Sequence, residues 1–316
     1  MPELPLVSPL DRALFLRAQR YLSGVDSSII AAIASHSVER YFRKGEWLHV
    51  EHEPVRSIYF LSEGAVASIR NGRSVFEVRA PGGTGLAHVL ARSPDPPGTQ
   101  ALVDTSCLEI ALSSYLQILE DRFPLVLQLA RNLSQLVLDE VHGGASCGES
   151  DVDEPGIATP TRSLDLVDRI ALARRSTLFR ESNLTVLAEL LRAGRVRKLA
   201  AGEVLAARGD RAEALLLVES GRLQVEHGRS AHRLGPGCIG GVYDLFTDEP
   251  REEAIVAQTE ASVLEIGRSD FIDVLEDHFG LARDLLAYLA HRYVELAMPG
   301  ALPELENRGA RSPEGA

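Results

Sequence analysis

The sequence predicts a mainly β protein with flanking helices, built as two β-rolls of the jelly-roll kind (cupin-like, a double-stranded β-helix). Three observations predict it: an internal repeat of half the chain, short β-like runs punctuated by turn residues, and apolar helical stripes closing each half. The repeat is the strongest of these. Lys44-Gly45-Glu46 returns as Ala201-Gly202-Glu203 and Glu63-Gly64 as Ser220-Gly221, both 157 residues on. Leu108-Glu109-Ile110 returns as Leu264-Glu265-Ile266 and Phe123 as Phe279, both 156 residues on. Leu22 with Leu178 and Ile30 with Val186 share that second spacing. Matches in one order with so little drift indicate a duplicated domain, because solenoid units repeat every ~20–50 residues.

Within each half the elements follow one order. Residues 27–36 and 183–193 space their apolar side chains three and four apart, which predicts an opening helix. Short β-like runs bounded by Gly, Pro and Asp come next, at 47–50, 57–61, 65–69 and 74–78. Their counterparts lie at 204–207, 214–218, 223–226 and 254–257, and many short strands of this kind suit a roll or sandwich. Gly64 and Gly221 each fall between two strands, where a tight turn at positive φ needs glycine. A longer helix closes each half, at 113–141 and 269–296, with Pro124 dividing the first near its start. In the second, Phe271, Leu275, Leu281, Leu285, Leu289 and Tyr293 form an apolar stripe. That stripe would pack on its own roll, close over a ligand as a lid, or make a homodimer contact.

Between the halves, GGASCGESDVDEPGIATPT holds too little apolar surface to order itself, which predicts a linker over 143–162. Residues 299–316 have the same character and are expected to form a disordered tail. The domains are therefore expected at 10–142 and 163–298. The chain carries 33 basic against 45 acidic residues, a net charge of −12 over 316 residues. Such a field repels phosphates at long range and argues against nucleic acid or an anionic membrane as partner. Cys107, Cys147 and Cys238 form no disulfide framework and no metal pair, which suits a reducing interior. The first residues have no signal-like pattern and no apolar run reaches the ~18 residues of a membrane span, so a soluble, cytoplasmic protein is expected.

The first half contains KGEWLHVEHEPVRSIYFLSEGAVASI, and the second contains AGEVLAARGDRAEALLLVESGRLQVEHG followed by LGPGCIGGVYDLFTDEPREEAIVAQTEASVLEIGRSDF. Helix, roll and helix, with a Gly-Glu opening and a glycine between the third and fourth strands, resembles the cyclic nucleotide-binding domain family. That family includes the effector domain of the catabolite activator protein and the regulatory subunits of protein kinase A. The resemblance implies a phosphate-binding cassette, in which a short helix joins two strands. Its amides and one arginine neutralise a cyclic phosphate, and a glutamate just after the cassette glycine holds the ribose 2′-hydroxyl.

In the second half Gly241 matches the cassette glycine and Arg251 the arginine, while the glutamate position holds Val242. The usual Ala-Thr after the arginine becomes Glu253-Ala254, and Glu252 adds another carboxylate. Losing a buried ribose partner costs ~1–3 kcal/mol, roughly ten- to a hundredfold in affinity. The candidate ligand residues are therefore Gly240, Gly241, Val242, Tyr243, Arg251 and Ala254. In the first half Pro81-Gly82-Gly83-Thr84-Gly85 offers a loop, but Asp95 stands at the arginine position. That sign is wrong for a phosphate, so no cyclic nucleotide is expected there.

Other constellations carry less. His49-x-Glu51-His52 and the pair His227 and His232 lack the three or four convergent ligands of a metal site, and are expected as solvated surface histidines. No Gly-x-Ser-x-Gly elbow or Walker loop is present, so no catalytic residue is assigned. Arg174-Arg175-Ser176-Thr177-Leu178 has a kinase-substrate form, but Leu178-Phe179 matches core positions. The 20 residues after Leu296 are too few for a helix-turn-helix module. These readings converge on a non-enzymatic regulatory or adaptor protein that needs no cofactor. Its second cassette would take a cyclic nucleotide or another small anion, and its output would pass to a separate effector protein. The alternatives are a cyclic AMP or cyclic GMP receptor subunit, and a scaffold with no small-molecule ligand.

Overall fold

The strands of each half assort into two antiparallel four-stranded sheets, in the same order both times. The first half contributes β1 (Ser37–Phe42), β2 (Trp47–His49), β3 (Ser57–Glu63), β4 (Ala65–Arg70), β5 (Arg73–Arg79), β6 (Gly82–Thr84), β7 (Gly98–Ala101) and β8 (Thr105–Ala111). The second contributes β9 (Arg195–Leu199), β10 (Val204–Ala206), β11 (Ala214–Ser220), β12 (Leu223–His227), β13 (Ser230–Leu234), β14 (Ile239–Gly240), β15 (Ala254–Ala257) and β16 (Ala261–Gly267). The sheets run β1-β8-β3-β6 and β2-β7-β4-β5, matched by β9-β16-β11-β14 and β10-β15-β12-β13. Two such sheets closing on each other make a roll, so the expected fold class and its duplication are both present. The computed structural model describes residues 8–142, 164–227, 230–247, 249–299 and 301; the predicted linker and the tail beyond 301 lie outside them.

The helices repeat as well. The first half has α1 (Pro9–Arg17), α2 (Ser27–Ser35), α3 (Leu86–Leu90), α4 (Leu112–Asp121) and α5 (Phe123–His142). The second has α6 (Leu166–Ala173), α7 (Leu184–Ala193), α8 (Val242–Phe246), α9 (Arg268–Asp277) and α10 (Phe279–Ala297). Both α1 and α6 begin with a capping box, in which Ser8 pairs with Asp11 and Asp165 with Asp168. Each box satisfies backbone donors that a helix start leaves open.

Each closing helix is two helices. Pro124 enters α5 at its second position, where its missing N–H is harmless, and Arg122 takes the extended φ of −135° that breaks the chain from α4. The same break recurs at His278 with φ −130° and no proline nearby, so the single helix expected over 269–296 is divided too. Gly64 and Gly221 turn at φ 89° and 79°. A Cβ at Gly64 would lie 2.5 Å from Thr105 Oγ1 and 2.6 Å from the Asp104 carbonyl, and one at Gly221 would strike the Glu260 carbonyl. Both close approach and positive φ therefore require glycine.

The stripe residues Phe271, Leu275, Leu281, Leu285, Leu289 and Tyr293 are all buried. Part of what buries them lies in the first half, because α5 and α10 pack along each other within one chain. Leu136, Val137 and Val141 from α5 join Tyr293, Val294 and Met298 from the end of α10 in one apolar cluster. Thus the stripe is covered in part by the other half of the same molecule. Leu178 and Phe179 are fully buried, and Arg174 donates to the Arg180 carbonyl, so the Arg-Arg-Ser-Thr segment is part of the core edge. No helix among the described residues is long and apolar enough to cross a membrane.

Candidate functional site

The second cassette is assembled from three stretches of chain. β14 ends at Gly240, Gly241 turns at φ 79°, and α8 follows at once; Arg251 then arrives just before β15. The Arg251 main chain is pinned on both sides, its N–H donating to the Asp210 carbonyl and its carbonyl accepting from Gly209. That anchoring sends the guanidinium inward, where its side chain is only 4% exposed. A Cβ on Gly241 would stand 3.0 Å from Arg251 Nη2, so glycine lets the guanidinium lie against the turn.

Gly240, Gly241, Val242, Tyr243 and Arg251 line one cavity, together with Val225, Leu234, Ile239 and Ile255. Ala254 does not line it. Successive strand residues point to opposite faces, so Glu253 and Ile255 reach the cavity and Ala254 turns away. Other contributors escaped the sequence reading. Asp244, on α8, accepts a hydrogen bond from Arg251 Nη1 at 2.8 Å. His232 on β13 supplies a wall. Leu138 and Val141 of α5 form the cap and belong to the first half of the chain.

The cavity holds about 40 Å³. Ligand pockets usually span ~300–1,000 Å³. Any nucleotide-sized guest would therefore have to move the α5 cap or α8. A wider groove of about 670 Å³ is also lined by Arg251, but the four arginines of its lining are matched by four acids. Their formal charges cancel, so the groove carries no net positive charge to draw in an anion.

The capping is reciprocal. As α5 packs on α8, so α10 packs on α3, the corresponding helix of the first half. Tyr243 of α8 also stacks on Tyr288 of α10, with ring centroids 6.0 Å apart and hydroxyls 3.0 Å apart. Beyond α3, Arg92 Nη2 meets Asp284 of α10 at 2.9 Å. Each closing helix thus packs on the short cassette helix of the other half.

The first cassette has the opposite electrostatics. Asp95, at the arginine position, accepts from Arg70 Nη1 at 2.7 Å and from His52 Nδ1 at 2.8 Å. Those donors, Arg70 foremost, hold its carboxyl below the usual carboxylate range. Arg70 also donates to the Ala301 carbonyl, which closes this roll just beyond α10. The histidines need correction. β2 ends at His49, which turns its ring inward to lie half-buried with Nε2 unpartnered, and burial holds its pKa down. His52 is exposed as expected. His88 on α3 is 7% exposed, also with an unpartnered Nε2. Burial first, then the charges of Arg70 and His49, depress its pKa to about 4. Among the described residues no group of His, Cys, Asp or Glu is arranged to hold a metal.

A family model for the cyclic nucleotide-binding domain matches residues 39–122 and again 196–278, together more than half of the chain. A cyclic nucleotide-gated potassium channel of Mesorhizobium japonicum is 31% identical over 116 residues, 37% of this chain and 32% of the relative. Another from Rhizobium etli is 29% identical over 116 residues, again 37% of this chain and 33% of the relative. The chain thus spans about a third of the length of these curated relatives. Among solved structures, the regulatory domain of Toxoplasma gondii protein kinase A with cyclic AMP covers 91% of this chain and 98% of its own, at 15% identity and a TM-score of 0.36. The regulatory subunit of a cyclic AMP-independent protein kinase A from Trypanosoma brucei covers 93% and 91%, at 12% identity and a TM-score of 0.37. On the two family-model matches, the chain belongs to the cyclic nucleotide-binding domain family, which it carries in two tandem copies.

Proposed function

We propose that this chain is a non-enzymatic regulatory protein whose second roll responds to a small anionic ligand and whose first roll does not bind a cyclic nucleotide. The observation that carries the reading is the inward guanidinium of Arg251 beside the Gly240-Gly241 turn, under a cap supplied by the other half. An anion drawn to that guanidinium needs room, so it pushes on α8 or on Leu138 and Val141. Either motion passes to the α5–α10 seam, through the cap directly or through Tyr243 and Tyr288. The surface around that seam would be what a separate effector protein senses. Ligand binding shifts such an equilibrium only by its differential affinity for the two states. Val242 offers no acceptor to a ribose, which favours a cyclic nucleotide bound weakly or another small phosphate ester.

One observation favours a second reading, a scaffold without a small-molecule ligand: the cavity is small, at about 40 Å³. Isothermal titration with cyclic AMP and cyclic GMP separates the two. Micromolar binding lost in Arg251→Glu supports the receptor reading. No heat and no thermal shift at millimolar ligand supports the scaffold.

A further inference from the structure

The partner of Arg251 is the unexpected part of the site. Its Nη1 lies 2.8 Å from Asp244 Oδ2, with the two side chains 4% and 17% exposed, so water competes little for the contact. The Nε of the same guanidinium is buried and unpartnered. Asp244 is the third residue of α8, one position beyond Tyr243, which meets Tyr288. Both the carboxylate and the guanidinium line the small cavity. An arginine holds a carboxylate and a phosphate by the same forked geometry. A carboxylate therefore already occupies the place an incoming phosphate needs.

We propose that Asp244 is a built-in competitor of the ligand: a phosphate group enters the second roll only by taking the Arg251 guanidinium from the Asp244 carboxylate. The exchange breaks one charge-assisted pair and makes another, with no change in the charge on Arg251. The released carboxylate must turn away from the guanidinium, and because it is carried on α8 its departure moves Tyr243 against Tyr288. Asp244 thereby sets both the affinity threshold and the direction of the response. The first roll lacks the device, since the corresponding position is His88 and its acid, Asp95, is held by Arg70. This inference rests on the proposal that the second roll takes an anion.

The test titrates the full chain with cyclic AMP, cyclic GMP and inorganic phosphate, comparing the unmodified protein with Asp244→Asn, Asp244→Ser and Asp244→Asn/Arg251→Gln. Removing a competing carboxylate from a desolvated arginine is expected to tighten binding roughly tenfold or more. The double variant should lose that gain. Both neutral variants weaken the charge compensation of a buried cation, so they melt lower, and millimolar phosphate should raise their melting temperature more than that of the unmodified chain. If the unmodified chain binds and the neutral variants bind no tighter, Asp244 is not a competitor, while the anion-responsive roll stands. If no form binds and phosphate restores nothing, both the inference and the anion-responsive roll fall.

Discussion

The two rolls share strand order, helix order and glycine turns, yet the charges at their cassettes are placed differently. In the second, the short helix carries an acid, Asp244, and the following loop a base, Arg251. In the first, the helix carries His88 and the loop an acid, Asp95, answered by Arg70 from β4. The caps differ too, since Leu138 and Val141 close the second roll while the residues just beyond α10 close the first. A fold can thus be duplicated faithfully while the few groups that choose a ligand diverge. Backbone pairing tolerates any side chain that keeps the inward-outward alternation, whereas a buried charge tolerates only its partner.

The comparison breaks most severely at Arg251. Arg251→Gln leaves Asp244 without its cation in a largely buried site, and a loss of about 3–5 kcal/mol is expected. Thermal unfolding should register this as a drop of roughly 10 °C. A shift under 2 °C, smaller than roughly 1 kcal/mol would give, would mean the pair contributes little.

Acid comes next, and acts on the first roll. His88 stays neutral in the fold down to about 4, while in the unfolded chain its imidazole takes up a proton near its ordinary value of 6.5. The unfolded state therefore binds more protons between those values, and stability falls as pH drops through that window. The full effect is roughly 3 kcal/mol. Denaturant unfolding at pH 7 and pH 4.5 should show a smaller acid loss in His88→Gln than in the unmodified chain. Equal losses would place the acid sensitivity elsewhere.

Trimming the cap has a moderate effect. Val141→Ala removes two buried methyl groups from the α5–α10 seam, at a cost of about 1.5 kcal/mol. It also enlarges the second cavity, so ligand affinity should rise even as stability falls; a parallel fall in both would show the cap holds the ligand. Smallest is Tyr288→Phe, which deletes the hydroxyl contact with Tyr243 at about 1 kcal/mol. Its informative readout is ligand-induced protection of α10 amides in hydrogen exchange, which should weaken without loss of binding.

Much of the architecture was legible in the chain. The spacing of 156–157 residues located both rolls, and the two turn glycines marked corresponding hairpins. The break at His278 was hidden because no proline announces it, although the matching Phe123 and Phe279 carried the signal. The site was only partly legible. Gly241 and Arg251 stand out by type and order, but Asp244 is one acid among 45, and only the inward path of Arg251 singles it out. Arg70 sits 25 residues from Asp95, with β4 and the first cassette folding the two together. The caps were beyond sequence reading altogether. An apolar stripe states that a helix is covered, and not which half of the chain covers it.

The central claim is that one roll alone responds to an anion, through Arg251. Isothermal titration of the full chain with cyclic AMP, and with cyclic GMP, tests it most directly when stoichiometry is read beside affinity. One molecule bound per chain is predicted, abolished by Arg251→Glu and retained in Asp95→Asn. Two molecules per chain, or binding indifferent to Arg251→Glu, would contradict the account.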